Sequence, residues 1–160
     1  MKTLVVLSDT HGSGKGIEKM RSILDENDFI VHLGDGFSES RKLIGDYPDK
    51  AYACSGNCDV LSPLPDEGIL EIERVRILYT HGHRYGVKST LVRLAQEAKK
   101  KDCTVALYGH THTARIDEID GVMLVNGGSL RYPAGEGGSY AYLVVNGEKV
   151  TPVIVGESVF

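Results

Sequence analysis

The sequence has few cysteines, no excess of positive charge and no long hydrophobic run, and each of these absences excludes a class of protein. Its three cysteines, Cys54, Cys58 and Cys103, are an odd number without the Cys-x-x-Cys spacing of a zinc knuckle, so we expect reduced thiols and no disulfide framework. Its 22 acidic residues outnumber its 18 basic residues, which argues against a general nucleic-acid-binding surface. We therefore expect no stable complex with nucleic acid.

The apolar segments are too short to cross a membrane. The run nearest the N-terminus covers only residues 4–7, and charge follows soon after it. The 160 residues also contain no internal repeat and no linker, and this length suits one domain with its own core. We expect a soluble cytoplasmic protein that folds as a single domain over residues 1–160 and has no membrane partner, with a homodimer as one option for its assembly.

Short aliphatic runs alternate with segments of helical spacing in the first half of the chain. The runs predict buried strands over residues 3–7, 29–33 and 51–54, and the segments between them predict helices over residues 16–24 and 38–44. Because parallel strands are joined by crossover helices, this order predicts a parallel sheet covered by helices.

The second half of the chain predicts a hairpin, a long helix and further strands. Strands are expected over residues 69–73, 75–79 and 105–108, and a helix over residues 87–101, with lysines in its last turn where cations suit the helix dipole. Asp120-Gly121 and Asn146-Gly147 lie between apolar runs, as in two-residue type I′ turns. Together the two halves predict one α/β domain with two packed mixed sheets and helices outside them.

Polar side chains follow five of the predicted strands, at the points where those strands end. In open α/β sheets this edge is where ligands bind, so side chains from distant parts of the chain would converge there. These residues are Asp9, Asp35, Asn57, His81 and His110.

Two of these residues have a histidine two positions later, because His11 follows Asp9 and His112 follows His110. In extended backbone, residues i and i+2 point the same way, so each pair is expected to reach into one cavity. The whole set offers two carboxylates, one amide and four imidazoles, a mixture that suits borderline divalent metals such as manganese, iron, zinc or nickel. Such a set exceeds the four ligands of a closed structural zinc site and suits two open sites that share a bridging carboxylate.

The motifs around these residues resemble those of the calcineurin-like metallophosphoesterases. That family's pattern is Asp-x-His, Gly-Asp, Gly-Asn-(His or Cys)-(Asp or Glu), His-Gly and Gly-His-x-His. The chain carries SDTHG at 8–12, LGDG at 33–36, GNCD at 56–59, THGH at 80–83 and GHTH at 109–112. It is most similar to the small YfcE-type and archaeal MJ-type phosphodiesterase branch, and NGGS at 126–129 is similar to that branch's Asn-Pro-Gly-Ser loop.

The resemblance implies a fold and a cofactor. The fold is a four-layer αββα sandwich, in which two mixed sheets are flanked by helices. The cofactor is a pair of divalent metal ions, for which we favour Mn²⁺ over Ni²⁺, Fe²⁺ or Zn²⁺. Carried over by motif, the first ion would be held by Asp9, His11 and His112, the second by Asn57, His81 and His110, and Asp35 would bridge the two.

The resemblance also implies candidate catalytic residues, which are Cys58, Asp59 and His83. Relatives with GNHD or GNHE use the histidine at the position of Cys58 to protonate the leaving oxygen. A thiol of ordinary pKa near 8.5 is a poor match for that histidine, so substrates whose leaving group needs little protonation are favoured, although the thiol could also simply pack. Asp59 orients that histidine in the relatives, and its role beside a cysteine is open. His83 either supports the ligands or contacts phosphate, whereas His32, inside a predicted strand, is interpreted as structural.

The predicted activity is that of a metal-dependent phosphodiesterase acting on a small phosphodiester. Two ions would neutralise the phosphate oxygens and make a bound hydroxide available near neutral pH. Two alternatives remain. One is a phosphomonoesterase, which the cysteine at position 58 disfavours. The other is a non-catalytic protein-interaction scaffold, like the small subunit of retromer, which the complete set of ligands disfavours.

Overall fold

Ten strands form two five-stranded sheets over residues 1–132 and 137–157, which the computed structural model describes. The first sheet has the order β10-β9-β1-β2-β3. Strands β1, β2 and β3 run parallel, with β3 at one edge, and β9 and β10 add antiparallel partners beside β1. Its strands are β1 (Lys2–Leu7), β2 (Phe29–His32), β3 (Ala51–Ala53), β9 (Ser139–Asn146) and β10 (Lys149–Gly156).

The second sheet has the order β4-β5-β6-β8-β7, with a parallel centre and an antiparallel strand at each edge. The carboxyl ends of its central strands lie on the same side of the molecule as those of the first sheet, so loops from both sheets meet there. Its strands are β4 (Glu67–Ile72), β5 (Val75–Thr80), β6 (Val105–Leu107), β7 (Arg115–Ile119) and β8 (Val122–Asn126).

The two sheets pack face to face, and helices cover their outer faces. Along β1, Leu4 and Val6 face the core between the sheets, whereas Val5 and Leu7 face the helices, which explains why the whole run is apolar. Helices α1 (Gly14–Lys19), α2 (Arg21–Glu26) and α3 (Phe37–Asp46) lie on the first sheet, and α4 (Val92–Lys100) lies on the second. The predicted four-layer αββα arrangement is confirmed.

None of the helices within the described ranges is long and apolar enough to cross a membrane.

Two predicted helices differ from the structure for identifiable reasons. The helix predicted over residues 16–24 is broken at Met20, where ψ is 2°. The apolar spacing continues across the break because residues on both sides pack into the same core, so periodicity does not reveal it. The helix predicted from residue 87 begins only at Val92. Val87 is buried, but it lies in a turn that precedes the helix.

The two predicted hairpin turns also differ from each other. Asp120 and Gly121 have φ angles of 50° and 78°, as the type I′ prediction requires. In the other hairpin Asn146 pairs with Lys149, so the turn is one residue further along than predicted. Its first central residue is Gly147, with φ of 64°, as in a type II′ turn.

Candidate metal centre

The loops at the carboxyl ends of the strands bring all the predicted metal ligands together. Asp9, His11, Asp35 and Asn57 come from the first sheet, and His81, His110 and His112 come from the second. The expectation that the Asp-x-His and His-x-His pairs lie in extended backbone is wrong. Both residues of each pair have left-handed φ angles, between 42° and 70°, because the chain turns sharply as it leaves the strand. Non-glycine residues adopt this region rarely, and surrounding hydrogen bonds hold them there.

Asp9, His11 and His112 form the first group of donors. The Nε2 atom of His112 lies 3.0 Å from Oδ1 of Asp9 and 3.4 Å from Nε2 of His11. Asp9 is fully buried, and its other carboxylate oxygen accepts hydrogen bonds from the hydroxyl of Ser8 and from the backbone N–H of His110. One carboxylate oxygen and two ring nitrogens therefore face one small space.

Asp35, His81, His110 and Asn57 form the second group. The Nε2 atom of His81 lies 3.2 Å from Oδ2 of Asp35, 3.2 Å from Nδ1 of His110 and 3.0 Å from the side-chain oxygen of Asn57. The same Oδ2 atom of Asp35 lies 3.9 Å from Nε2 of His11, which belongs to the first group. Asp35 thus lies between the two groups, where a carboxylate could be shared.

Backbone carbonyls fix the protonation of two of the rings. The Nδ1 atom of His81 lies 2.7 Å from the carbonyl oxygen of Leu33, and that of His112 lies 2.7 Å from the carbonyl oxygen of Tyr132. A carbonyl only accepts, so each Nδ1 carries the proton and each Nε2 presents a lone pair to the centre. Lone pairs and carboxylate oxygens that converge in this way need a positive charge between them, and the donor set therefore fits divalent metal ions.

Comparison with known families identifies the family of this chain. The sequence profile of the calcineurin-like phosphoesterase superfamily domain matches residues 1–148. The chain belongs to the calcineurin-like phosphoesterase superfamily. The family membership predicted from the five motifs is thereby confirmed.

Relatives of this superfamily member share most of its length. YsnB of Bacillus subtilis, a probable metallophosphoesterase, is 32% identical over 92% of this chain and 87% of its own. The phosphodiesterase YfcE of Escherichia coli is 27% identical over 84% of this chain and 83% of its own. A structure of Vps29 complexed with Zn²⁺, from Entamoeba histolytica, has a TM-score of 0.77 at 17% identity and covers 96% of this chain and 98% of that one, which shows the shared fold.

The charges of this phosphoesterase-family site favour a cation. Burial opposes ionisation of Asp35, but the hydrogen bond and charge of His81 hold the pKa of that carboxyl below its ordinary value. Burial favours a neutral His81 ring, yet its hydrogen bond to Asp35 and the charge of Asp9 raise the pKa of the histidine. The centre therefore attracts positive charge, in the form of a proton when no metal ion competes for the same lone pair.

His110 differs from His81 in its electrostatic surroundings. Burial, the charge of His81 and the ammonium of Lys88 lower the pKa of His110 to about 4. The ring is thus neutral at physiological pH, as a metal ligand has to be.

Cys58 lies at the mouth of the centre. Its sulfur falls in one compact group with His11 and Asp35, with the three ligand atoms all within 4.8 Å of one another. Its backbone N–H donates to Oδ1 of Asp35 at 2.8 Å. Partial burial and the charge of Asp35 raise the pKa of the thiol. Surrounded by the protein's own groups alone, Cys58 therefore keeps its proton at neutral pH.

Asp59 holds the loops of the centre in place. Its carboxylate accepts hydrogen bonds from the backbone N–H groups of Asp35, Gly36 and Gly56, at 2.8, 3.0 and 2.8 Å. These bonds tie the GNCD loop to the loop that presents Asp35. The geometry supports a positioning role for Asp59, but one that acts on the backbone of two loops and not on the neighbouring side chain, as the motif suggests in relatives.

The two remaining histidines lie in different surroundings. The ring of His83 lies 5.4 Å from that of His81, centroid to centroid, and its Nδ1 atom is buried without a hydrogen bond to any described residue. Burial and the charge of His81 lower the pKa of His83. His32 is fully buried behind the centre and hydrogen-bonds to the hydroxyls of Thr10 and Ser40, both at 2.9 Å, which agrees with a structural interpretation.

Three further residues support the centre, although the sequence motifs assigned a role to none of them. The buried carboxylate of Glu39 accepts from the hydroxyl of Thr10 and from the backbone N–H of Gly12. The side-chain amide of Asn126 donates to the carbonyl of Gly109, and the hydroxyl of Ser129 donates to the carbonyl of Asp9. The NGGS motif was the signal for the last two, whereas Glu39 lies on a helix and carries no motif.

Proposed function

We propose that the protein is a metal-dependent phosphodiesterase with two divalent ions bound at the candidate metal centre and Asp35 between them. One observation carries the proposal. Two groups of oxygen and nitrogen donors, drawn from both sheets, face each other across a single carboxylate oxygen of Asp35. The phosphodiesterase activity is supported by the similarity to YfcE, which is named a phosphodiesterase.

The first ion would be held by Asp9, His11 and His112, and the second by Asn57, His81 and His110. Such a pair of ions supplies stabilisation of phosphate charge and a nucleophilic hydroxide near neutral pH. The protein's contribution is to keep the donors in place. The carbonyls of Leu33 and Tyr132 hold two imidazoles with their lone pairs inward, and Asp59 fixes the backbone that presents Asp35.

The thiol of Cys58 decides which diesters suit the site. It lies on the rim of the cavity that also contains His11 and Asp35, where it could face a departing oxygen. With its raised pKa it gives up a proton poorly, so we infer that efficient substrates have leaving groups that depart as anions. This disfavours the phosphomonoesterase alternative. The scaffold alternative is supported by the fold shared with Vps29, and the complete donor set weighs against it.

The test is a metal panel on the metal-free protein. We expect Mn²⁺ to restore hydrolysis of bis(4-nitrophenyl) phosphate and Mg²⁺ to restore less, because four of the proposed ligands are imidazoles and Mg²⁺ prefers an all-oxygen octahedron. Elemental analysis should find two ions per chain. Equal turnover with Mg²⁺ alone would contradict the metal preference, and at most one bound ion would contradict the paired site. A folded, two-ion protein that hydrolyses no diester would favour the scaffold.

Replacing Cys58 with histidine tests the leaving-group argument. We expect Cys58→His to raise the rate for diesters with alkyl leaving groups by about 10²-fold, because general acid catalysis contributes on that scale. Cys58→Ala should leave nitrophenyl ester hydrolysis nearly unchanged, because nitrophenolate departs without a proton. The measurement is the ratio of alkyl-ester to nitrophenyl-ester turnover. An unchanged ratio in a folded, metal-loaded Cys58→His variant would place the thiol away from the leaving group.

A further inference from the structure

An apolar groove adjoins the cavity of the candidate metal centre. It has a volume of about 360 Å³ and is lined by Phe37, Arg41, Ile44, Pro63 and Leu64. Its walls are one side of α3, from Phe37 to Ile44, and the loop that follows the GNCD motif. Phe37 also lines the cavity that contains His11, Asp35 and Cys58, so the groove and the candidate centre share one wall.

The loop that forms one wall of the groove exposes large apolar side chains. Val60 and Leu61 are 80% and 96% exposed, and Leu61 has a φ of 61°, a left-handed angle that costs free energy in a branched residue. Folding alone gives no reason to hold two aliphatic side chains in water beside a polar cavity. This exposed apolar surface lies beside the polar cavity, where a ligand can contact it.

The same loop is fixed at both ends and in its middle. The backbone N–H of Ser55 donates to the carbonyl of Pro65 at 2.8 Å, and the hydroxyl of Ser55 donates to the carbonyl of Leu64 at 2.9 Å. Asp59 ties the loop to the backbone at residues 35 and 36. The apolar wall therefore keeps a set position relative to Asp35, as a substrate subsite requires.

Arg41 gives the groove a cation beside an aromatic ring. No carboxylate within the described part of the chain forms an ion pair with its guanidinium, which remains available to a ligand. A flat ring that enters the groove would find apolar contacts on Ile44 and Leu64 and a guanidinium that can lie over its face. The volume is in the range of pockets for small ligands rather than of protein interfaces.

We propose that this groove binds the leaving group of the substrate, and that the leaving group is an aromatic alcohol. This inference rests on the proposed phosphodiesterase function and names the substrate class. In the reaction, a hydroxide oxygen bonds to phosphorus, the P–O bond to the aryl group breaks, and the aryl oxide departs with the electron pair of that bond. Aryl oxides are stable enough to leave without a proton, which matches the position of Cys58 on the same cavity.

Two substrates separate the leaving group from the group that stays on phosphorus. Both bis(4-nitrophenyl) phosphate and methyl 4-nitrophenyl phosphate release 4-nitrophenol, but only the first retains an aryl group. We expect Phe37→Ala to lower kcat/KM about tenfold for both substrates, on the scale that contacts in apolar pockets provide. Arg41→Gln changes an exposed position and leaves the core intact, and it should also lower kcat/KM for both substrates. Val153→Ala, on β10 and 47% exposed, is the control and should change neither.

The outcomes are distinct when each variant is shown to be folded and to bind the same number of ions as wild type. Equal losses for the two substrates support the leaving-group subsite. A loss confined to the bis-aryl substrate overturns it, because the groove would then hold the group that stays. Unchanged kcat/KM in both Phe37→Ala and Arg41→Gln also overturns it. A metal-loaded wild type that hydrolyses neither substrate refutes the proposed function before any variant is compared, and the subsite falls with it.

Discussion

Replacing Asp35 with asparagine is expected to lower phosphodiester hydrolysis by about 10³-fold, the scale on which loss of one key electrostatic group lowers kcat. Asp35 has one carboxylate oxygen between the two groups of donors and is almost completely buried. Two dications placed close together repel each other strongly, and a negative charge between them offsets that repulsion. Asparagine keeps the shape and removes the charge, so both proposed ions should bind more weakly.

The readouts for Asp35→Asn are elemental analysis and turnover at saturating Mn²⁺. Asp120→Asn is a matched control, because Asp120 is exposed in a hairpin turn with a φ of 50°, an angle that asparagine tolerates. The control should keep both ions and full activity. If Asp35→Asn retains two tightly bound ions and near wild-type turnover, Asp35 does not bridge them.

Replacing Gly56 with alanine is expected to damage the centre although it removes no ligand. A Cβ atom at this position would lie 2.1 Å from Oδ1 and 2.5 Å from the backbone nitrogen of Asp35. Neither atom can withdraw without moving the proposed bridging carboxylate. We expect the free energy of unfolding to fall by about 1–3 kcal/mol, as in overpacked cores. Metal affinity and turnover should fall with it, because the displaced group is Asp35 itself.

Gly45→Ala is the matched control for this change. Gly45 lies within α3, and a Cβ atom there would meet nothing within 4 Å. Since alanine is the better helix former, the free energy of unfolding of this variant should rise by about 0.5–1 kcal/mol. Denaturant unfolding and metal titration of the two variants provide the measurements. Gly56→Ala with wild-type stability and metal affinity would show that the two loops are free to separate, contrary to the hydrogen bonds that join them.

The sequence predicted the layers of the fold because burial on both faces leaves a plain signal. The run at residues 3–7 is apolar throughout since alternate side chains face the other sheet and the helices. It did not predict the break at Met20 or the turn before Val92, where side chains are buried without a continuous helix beneath them. Apolar spacing reports which side chains are buried and says little about backbone continuity.

The predicted ligands converge, but their position at strand ends explains only part of that convergence. Strand ends brought them to one edge, but left-handed backbone, not extended backbone, aims Asp9 and His11 into the same space. The sequence did not reveal that Asp59 joins two loops, because its hydrogen-bond partners are backbone N–H groups, which are the same in every sequence. The contribution of Glu39 was hidden for the same reason and because its helix showed only ordinary spacing.

The division of the donors between two sheets gives the proposed ions a second effect, on the cohesion of the molecule. Asp9 and Asp35 follow strands of one sheet, whereas His81 and His110 follow strands of the other. Bound metal would therefore cross-link the two sheets at the edge where these polar side chains face each other. By mass action, a ligand at 100 times its Kd adds about 2.7 kcal/mol to folding stability. Chelation would then loosen the protein first at the carboxyl ends of β1, β2, β5 and β6, and amide hydrogen exchange would accelerate there before the far ends of the same strands.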